Sequence, residues 1–198
     1  MSFEVIREFE NKIAKFYGSP YAVAVDCCTH AIELCLRYKD VKKFTTPYHT
    51  YPSVPNLAKK IGIEFDWDER EWTGFYNLGN TNIIDGAVYW EQNGYVPNTL
   101  MCLSFQFQKH LSLGRGGMIL CDDSDDRDEL KKMSYDGREP DVPWREQNIS
   151  TMGYHYYMTP ETAQNGLDKL QSAIDTKPRE WILEDWPDLR KMDLYKDV

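Results

Sequence analysis

Lys109 closes the stretch Leu103-Ser104-Phe105-Gln106-Phe107-Gln108-Lys109, in which an apolar run and a hydroxyl lead to one lysine, with the glycine cluster Gly114-Arg115-Gly116-Gly117 just beyond. A lysine at the end of a buried strand is costly to keep charged. Its amine is therefore pushed below the free value of about 10.4 and becomes nucleophilic toward an aldehyde, the chemistry of a Schiff base. Upstream, Asn82-Ile83-Ile84-Asp85-Gly86-Ala87-Val88 reads as a buried strand with one carboxylate in its middle. An unpaired carboxylate there is expensive, unless a ligand needs the charge. A pyridinium nitrogen does, since an aspartate beside it keeps the ring protonated and able to take up electrons. Asp85 and Lys109 together predict a pocket for pyridoxal 5'-phosphate.

The elements that must position these residues follow an alternating helix and strand pattern. Phe3, Ile6, Phe9, Ile13 and Phe16 share one helical face that Gly18 and Pro20 end. Strands are expected at 21–25, ending at Pro47, and at 63–67, 83–88, 100–105 and 118–121; helices at 29–38 with Thr29 as cap, 52–61 closed by Gly62, and from Thr159-Pro160 to about 176. Such a series predicts a three-layer αβα sandwich with a mainly parallel sheet. One domain is expected over 1–198, with residues 178–198 an irregular arm. Ligands of open α/β sheets sit at strand carboxyl ends, where helix N-termini offer free amides. Cys28 and Thr29 occupy such a place, and Ser104 adds a second hydroxyl.

The motifs also come in a familiar order. Phe9-Glu10, Phe16-Tyr17-Gly18, the Tyr21-to-Thr29 strand and turn, Pro47-Tyr48-His49-Thr50-Tyr51, Ile84-Asp85-Gly86-Ala87, Ser104 to Lys109, Gly114 to Gly117 and Gly153-Tyr154-His155-Tyr156-Tyr157-Met158-Thr159 run in sequence through most of the chain. In this series the chain resembles the DegT/DnrJ/EryC1/StrS sugar aminotransferases, pyridoxal phosphate enzymes of fold type I. The resemblance implies a reduced version of the fold type I large domain and transfer of an amino group, commonly from glutamate, to a nucleotide-linked keto sugar through a Lys109 Schiff base. It further implies Thr29 and Ser104 at the cofactor phosphate, Tyr51 stacked on the pyridine ring, and a homodimer in which His155 reaches the neighbouring subunit's phosphate. Gln106 is expected to donate to the cofactor O3′.

Departures from the family pattern are localised. Cys28 stands for a glycine, Val88 for a glutamine, Arg115 for a glutamate, and His155 and Tyr157 for asparagine and arginine; the segment between 67 and 83 is short, and family members are about twice as long. From these departures an alternative follows, a binding protein that captures pyridoxal phosphate without full turnover. The related sugar dehydratases carry histidine at the lysine position, so Lys109 argues against that chemistry although His110 is adjacent.

Composition narrows the partners. The 198 residues carry a net charge of −9 and no basic patch, which argues against nucleic acid. The acidic run Asp122-Asp123-Ser124-Asp125-Asp126 lacks the glycine and final glutamate of a calcium loop and is expected to cap a helix from Asp125. Five cysteines with no C-x-x-C pair read as reduced core residues of a cytoplasmic protein, with no metal site. No membrane-spanning run or leader is evident.

Overall fold

The computed structural model describes residues 3–196, in which five α-helices and seven strands are ordered as α1 (Phe3–Tyr17), β1 (Tyr21–Val25), α2 (Cys28–Tyr38), β2 (Lys43–Pro47), α3 (Ser53–Ile61), β3 (Glu64–Asp68), β4 (Tyr76–Asn77), β5 (Ile83–Asp85), β6 (Leu100–Ser104), β7 (Gly117–Cys121), α4 (Ser124–Ser134) and α5 (Pro160–Ile174). Strand periodicity sorts the core. Val23, Leu100, Cys102, Ile119 and Cys121 pack with α2, α3 and part of α4, whereas Ala22, Ala24, Met101, Leu103, Met118 and Leu120 pack with α1 and α5. Alternation puts successive side chains on opposite sheet faces, so helices cover both faces and the three-layer αβα sandwich follows.

The sheet is mixed, which corrects the expectation of mainly parallel pairing. Its order is β1-β7-β6-β5-β4, and only β5 and β6 pair in parallel, while β1–β7, β6–β7 and β4–β5 are antiparallel. A parallel neighbour requires a crossover over the sheet face. The connections 105–116 and 78–82 carry no helix to make one, so their strands turn back. β2 and β3 form a separate parallel ribbon. It abuts the β4–β5 turn so closely that a Cβ on Gly79 would lie 2.4 Å from the Thr45 amide nitrogen.

Helix ends obey the local chemistry. Gly18 and Gly62 adopt left-handed backbone after α1 and α3. Asp123 accepts from the Asp125 amide at 2.6 Å, so the acidic run caps α4, one residue earlier than expected. Thr159 accepts from the Thr162 amide at 3.3 Å, with Pro160 in the first turn of α5. Thr29 corrects its expectation: α2 starts at Cys28, Cys27 holds the cap position without a side-chain bond, and the Thr29 hydroxyl donates to Ser53 Oγ at 2.8 Å.

Beyond α5 the described residues of the arm form three short 3-10 turns, Leu183–Asp185, Leu189–Lys191 and Asp193–Tyr195, and the arm is well anchored. Leu189 is fully buried and donates its amide to the Tyr48 carbonyl at 3.1 Å. Tyr195 is buried and donates to Asn56 Oδ1 at 2.6 Å. The last two residues of the arm, 197 and 198, lie outside the described residues.

Candidate active site

The ends of β1, β2, β5 and β6 open into a cavity of about 660 Å³ that the arm also walls. Seven of the eight residues singled out in the sequence line it: Cys28, Thr29, Tyr51, Asp85, Ser104, Gln106 and Lys109. Asp85 is the last residue of β5, Ser104 the last of β6, and Cys28 the first of α2. Lys109 comes from the turn after β6, where its amide donates to the Gln106 carbonyl at 2.8 Å. Gly117 brings the cradle together, because a Cβ there would lie 2.5 Å from the Cys27 carbonyl carbon and 2.6 Å from the Cys28 nitrogen. Only glycine allows β7 that close to the start of α2.

Asp85 is buried and aimed. One oxygen accepts from the Ala87 amide at 2.9 Å and the other from the Tyr76 hydroxyl at 2.9 Å, which in turn shares a 2.6 Å bond with Thr50. Burial pushes the Asp85 carboxyl above the usual range, against the pull of Ala87, Tyr76 and Lys109. Burial also pushes the Lys109 amine down, against Asp85 and Cys28, with Arg179 adding to the fall. The Lys109 ammonium rests over the rings of Trp181 at 5.0 Å and Trp186 at 5.8 Å, a cation–π arrangement.

Around this pair, α2 begins without a side-chain cap, so its first amides are open to an anion. Ser104 Oγ faces the same cavity and has only a long 3.4 Å bond from the Gln106 amide. Gln106 Oε1 accepts from the Gln108 amide at 2.8 Å, which leaves its Nε2 to donate. Tyr51 is 53% exposed and offers an open face. The donor set therefore suits a flat, phosphorylated aldehyde with a ring nitrogen.

Two residues take other places. His155 is outside the cavity, exposed, and bonded to Asp136 at 2.9 Å. His110 turns away, with Nε2 2.7 Å from the Ala173 carbonyl of α5. Beside the cavity, Asp26, Cys27 and His30 bring three ligand-type atoms within 4.8 Å. These groups already satisfy one another: His30 Nδ1 is 2.6 Å from Asp26 Oδ1, and Arg115 donates to Asp26 Oδ2 at 2.7 Å. The His30 imidazole lies flat on Tyr156, 3.6 Å between centroids. Burial alone would lower its pKa, but bonds to Asp26 and Cys27 raise it to about 9.

Sequence reasoning missed Tyr76, Trp72, Arg179, Trp181 and Trp186, all of which line the cavity. For Tyr76 a signal existed, the Gly79-Asn80 turn between the apolar runs of β4 and β5. For the arm residues no local pattern does.

A sequence model of the DegT/DnrJ/EryC1/StrS aminotransferase family matches residues 1–67 and 86–180, well over half of the chain. Asp85 stands one residue before the second matched segment, and Trp181 one after it. The spore coat polysaccharide biosynthesis protein SpsC of Bacillus subtilis is 21% identical over 215 residues, which covers 85% of this chain and 54% of that protein. The chain thus spans about half the length of the curated relative it matches. Among solved structures, AtS13 from Actinomadura melliaura superposes with a TM-score of 0.73 at 17% identity over 88% of this chain and 61% of that one. Spr1654 from Streptococcus pneumoniae in its PLP form gives 0.72 at 17% identity, over 86% and 60%. At such identities the likeness carries the fold, an α/β architecture shared with fold type I aminotransferases.

Proposed function

Because the chain belongs to the DegT/DnrJ/EryC1/StrS aminotransferase family, we propose that it is a pyridoxal-phosphate-dependent aminotransferase that moves an amino group from an amino acid, glutamate in the simplest case, to a nucleotide-linked keto sugar. The observation that carries this reading is the placing of Lys109 and buried Asp85 in one cavity at the N-terminus of α2. Pyridoxal phosphate, when bound, supplies an aldehyde that condenses with amines and a ring that takes up electrons.

The chain's own residues do the rest. Lys109 Nζ, its pKa lowered by burial, would hold the cofactor through its aldehyde and, once an amino donor has taken its place there, would move the proton at the donor's Cα. Asp85 holds the proton of the ring nitrogen, with Tyr76 and the Ala87 amide fixing its carboxylate. The open amides of Cys28 and Thr29, with Ser104 Oγ, hold the phosphate. Tyr51 supplies a stacking face and Gln106 Nε2 a donor to O3′. Trp181 and Trp186 exclude water, which strengthens every charge interaction inside. His155, exposed and outside its own cavity, serves the site of a second copy, so the functional unit is a homodimer. Five free cysteines, with Cys35 and Cys102 sharing a 3.7 Å sulfur–sulfur hydrogen bond rather than a disulfide, support a reducing cytoplasmic setting.

The test is the visible absorbance of purified protein with pyridoxal phosphate, before and after glutamate, with Lys109→Ala alongside. A band that requires Lys109 and shifts with glutamate is expected. A Lys109→Ala protein that still transaminates sinks the assignment, and a wild-type band blind to amino acids favours a binding protein without turnover.

A further inference from the structure

Asp26, Cys27 and His30 are brought together by their spacing along the turn that opens α2. Cys27 is the cap residue of that helix and His30 its third residue, the two positions whose side chains reach back toward each other in a capping box. A capping box pairs a hydroxyl with a carboxylate; here a thiol stands opposite an imidazole. Asp26, just before the cap, closes the group with Oδ1 2.6 Å from His30 Nδ1. Among the described residues, no other set of His, Cys, Asp or Glu brings three ligand-type atoms within 4.8 Å of one another. Cysteine spacing alone points to no metal, because two of the three groups are not cysteines.

The group is held from outside. The Asp26 amide donates to the Tyr156 carbonyl at 2.8 Å, and the Tyr156 ring lies on the His30 imidazole with planes 10° from parallel. Arg115 donates to Asp26 Oδ2 at 2.7 Å, so the carboxylate presents its other oxygen to His30. At Gly117, β7 backs directly onto the Cys27 backbone. The His30 and Asp26 side chains are 19% and 21% exposed, and Cys27 lines the cavity. A small ion can therefore reach atoms whose backbone is already fixed.

We propose that Asp26, Cys27 and His30 form a zinc site, with Cys27 Sγ, one imidazole nitrogen of His30 and Asp26 Oδ1 as ligands and a fourth position for water. Tetrahedral zinc, at about 2.3 Å from sulfur and about 2.0 Å from nitrogen or oxygen, sets its ligand atoms about 3.3 to 3.6 Å apart. The three atoms here are separated by 2.6 Å at one end and by no more than 4.8 Å at the other, so side-chain shifts of about 1 Å suffice. The thiol and the imidazole release their protons as the cation enters; the proton that His30 and Asp26 share is thus what zinc replaces. Sulfur and nitrogen ligands select against calcium and magnesium, which take oxygen. Arg115 keeps Oδ2 and orients the carboxylate from behind the metal. The site requires neither pyridoxal phosphate nor transamination, so its fate is separate from that of the reading above.

The experiment titrates the untagged full chain, under a phosphine reductant and without phosphate or cofactor, with cobalt(II) as a spectroscopic stand-in for zinc. The wild type is expected to develop a sulfur-to-cobalt charge-transfer band that saturates at a single equivalent and that equimolar zinc removes. Cys27→Ser should abolish the band. Loss of an outer partner alone costs a metal site roughly 10- to 100-fold in affinity, so loss of a direct ligand in His30→Ala or Asp26→Asn is expected to cost at least about 100-fold. Metal-free urea unfolding first establishes that each variant is folded, and His30→Gln replaces His30→Ala if the latter is not. A measurement without substitutions runs beside these: zinc should protect Cys27 of the wild type from iodoacetamide, read by peptide fragmentation that separates Cys27 from Cys28. The site is overturned by a wild type with no band, by a band that survives Cys27→Ser, or by wild-type affinity in both His30→Ala and Asp26→Asn. Alkylation of Cys27 at the same rate with and without zinc overturns it equally. Cofactor loading is followed separately through the Lys109 band, so a chain that binds zinc but ignores pyridoxal phosphate fails as an aminotransferase and keeps its metal site.

Discussion

Asp85 is an acid that the fold surrounds with burial, two donors and one nearby lysine. Its raised pKa means that the native state binds the proton more tightly than the unfolded chain, so protonation favours folding. Stability relative to a non-ionising residue therefore falls as pH rises from the unfolded value of about 3.9 to the higher folded one, and the full deficit persists above it. Without cofactor, Asp85→Asn is expected to be more stable than the wild type at neutral pH, with the gap closing on acidification. With saturating pyridoxal phosphate the order should reverse, because only the carboxylate pairs with the ring nitrogen. Urea unfolding of both proteins across pH, with and without cofactor, checks this, and a constant difference would refute it. Asp85 and Ser104 were legible because each interrupts an apolar run, where an ionisable or hydroxyl group needs a reason, and Lys109 because it closes the stretch that follows such a run. Tyr76 was missed although the turn between β4 and β5 sets it opposite Asp85, and Arg179 because the arm that carries it has no periodic pattern.

At the scale of elements, the arm carries the most consequence. Trp186 is buried between Trp72 and Trp181, and truncating it leaves a large void beside the cavity. Trp186→Ala is expected to cost about 3 kcal/mol of stability, whereas Ile182→Ala, at a 58% exposed position, should stay within about 0.5 kcal/mol. Urea midpoints of the two variants against the wild type give the comparison. Most helices and strands were visible in the sequence through 3.6- and 2-residue apolar periods and through their Gly, Pro and Thr ends. The arm could only be read as irregular, because the contacts that hold it, such as Leu189 on Tyr48 and Tyr195 on Asn56, have no periodicity. Sheet direction failed for a related reason. Apolar runs announce burial on both faces but are silent on orientation, which the unhelical connection 105–116 decided. Thr29 looked like a cap because a threonine preceded the apolar pattern, yet the helix begins a residue earlier and its hydroxyl belongs to Ser53.

For the whole molecule, the excess of acid gives a net charge of −9, and no helix among the described residues is long and apolar enough to cross a membrane. The homodimer proposed above predicts a sedimenting mass twice the 23.2 kDa of the chain. It also predicts that His155→Ala retains less cofactor while leaving Lys109 chemistry intact; a monomer that holds cofactor at full occupancy would contradict it. The antiparallel register of β1 on β7 sets Tyr21 opposite Cys121 and Val25 opposite Gly117. Such distant pairings close slowly, because the chain between them must first be confined. The backbone contact of Gly117 with Cys27 and Cys28, which shapes the anion cradle, exists only after that closure. A ligand seated in the cradle thus meets a chain that has already crossed its main folding barrier. It would act as a late clamp, lengthening the lifetime of the native state by slowing unfolding and leaving the rate of folding almost untouched.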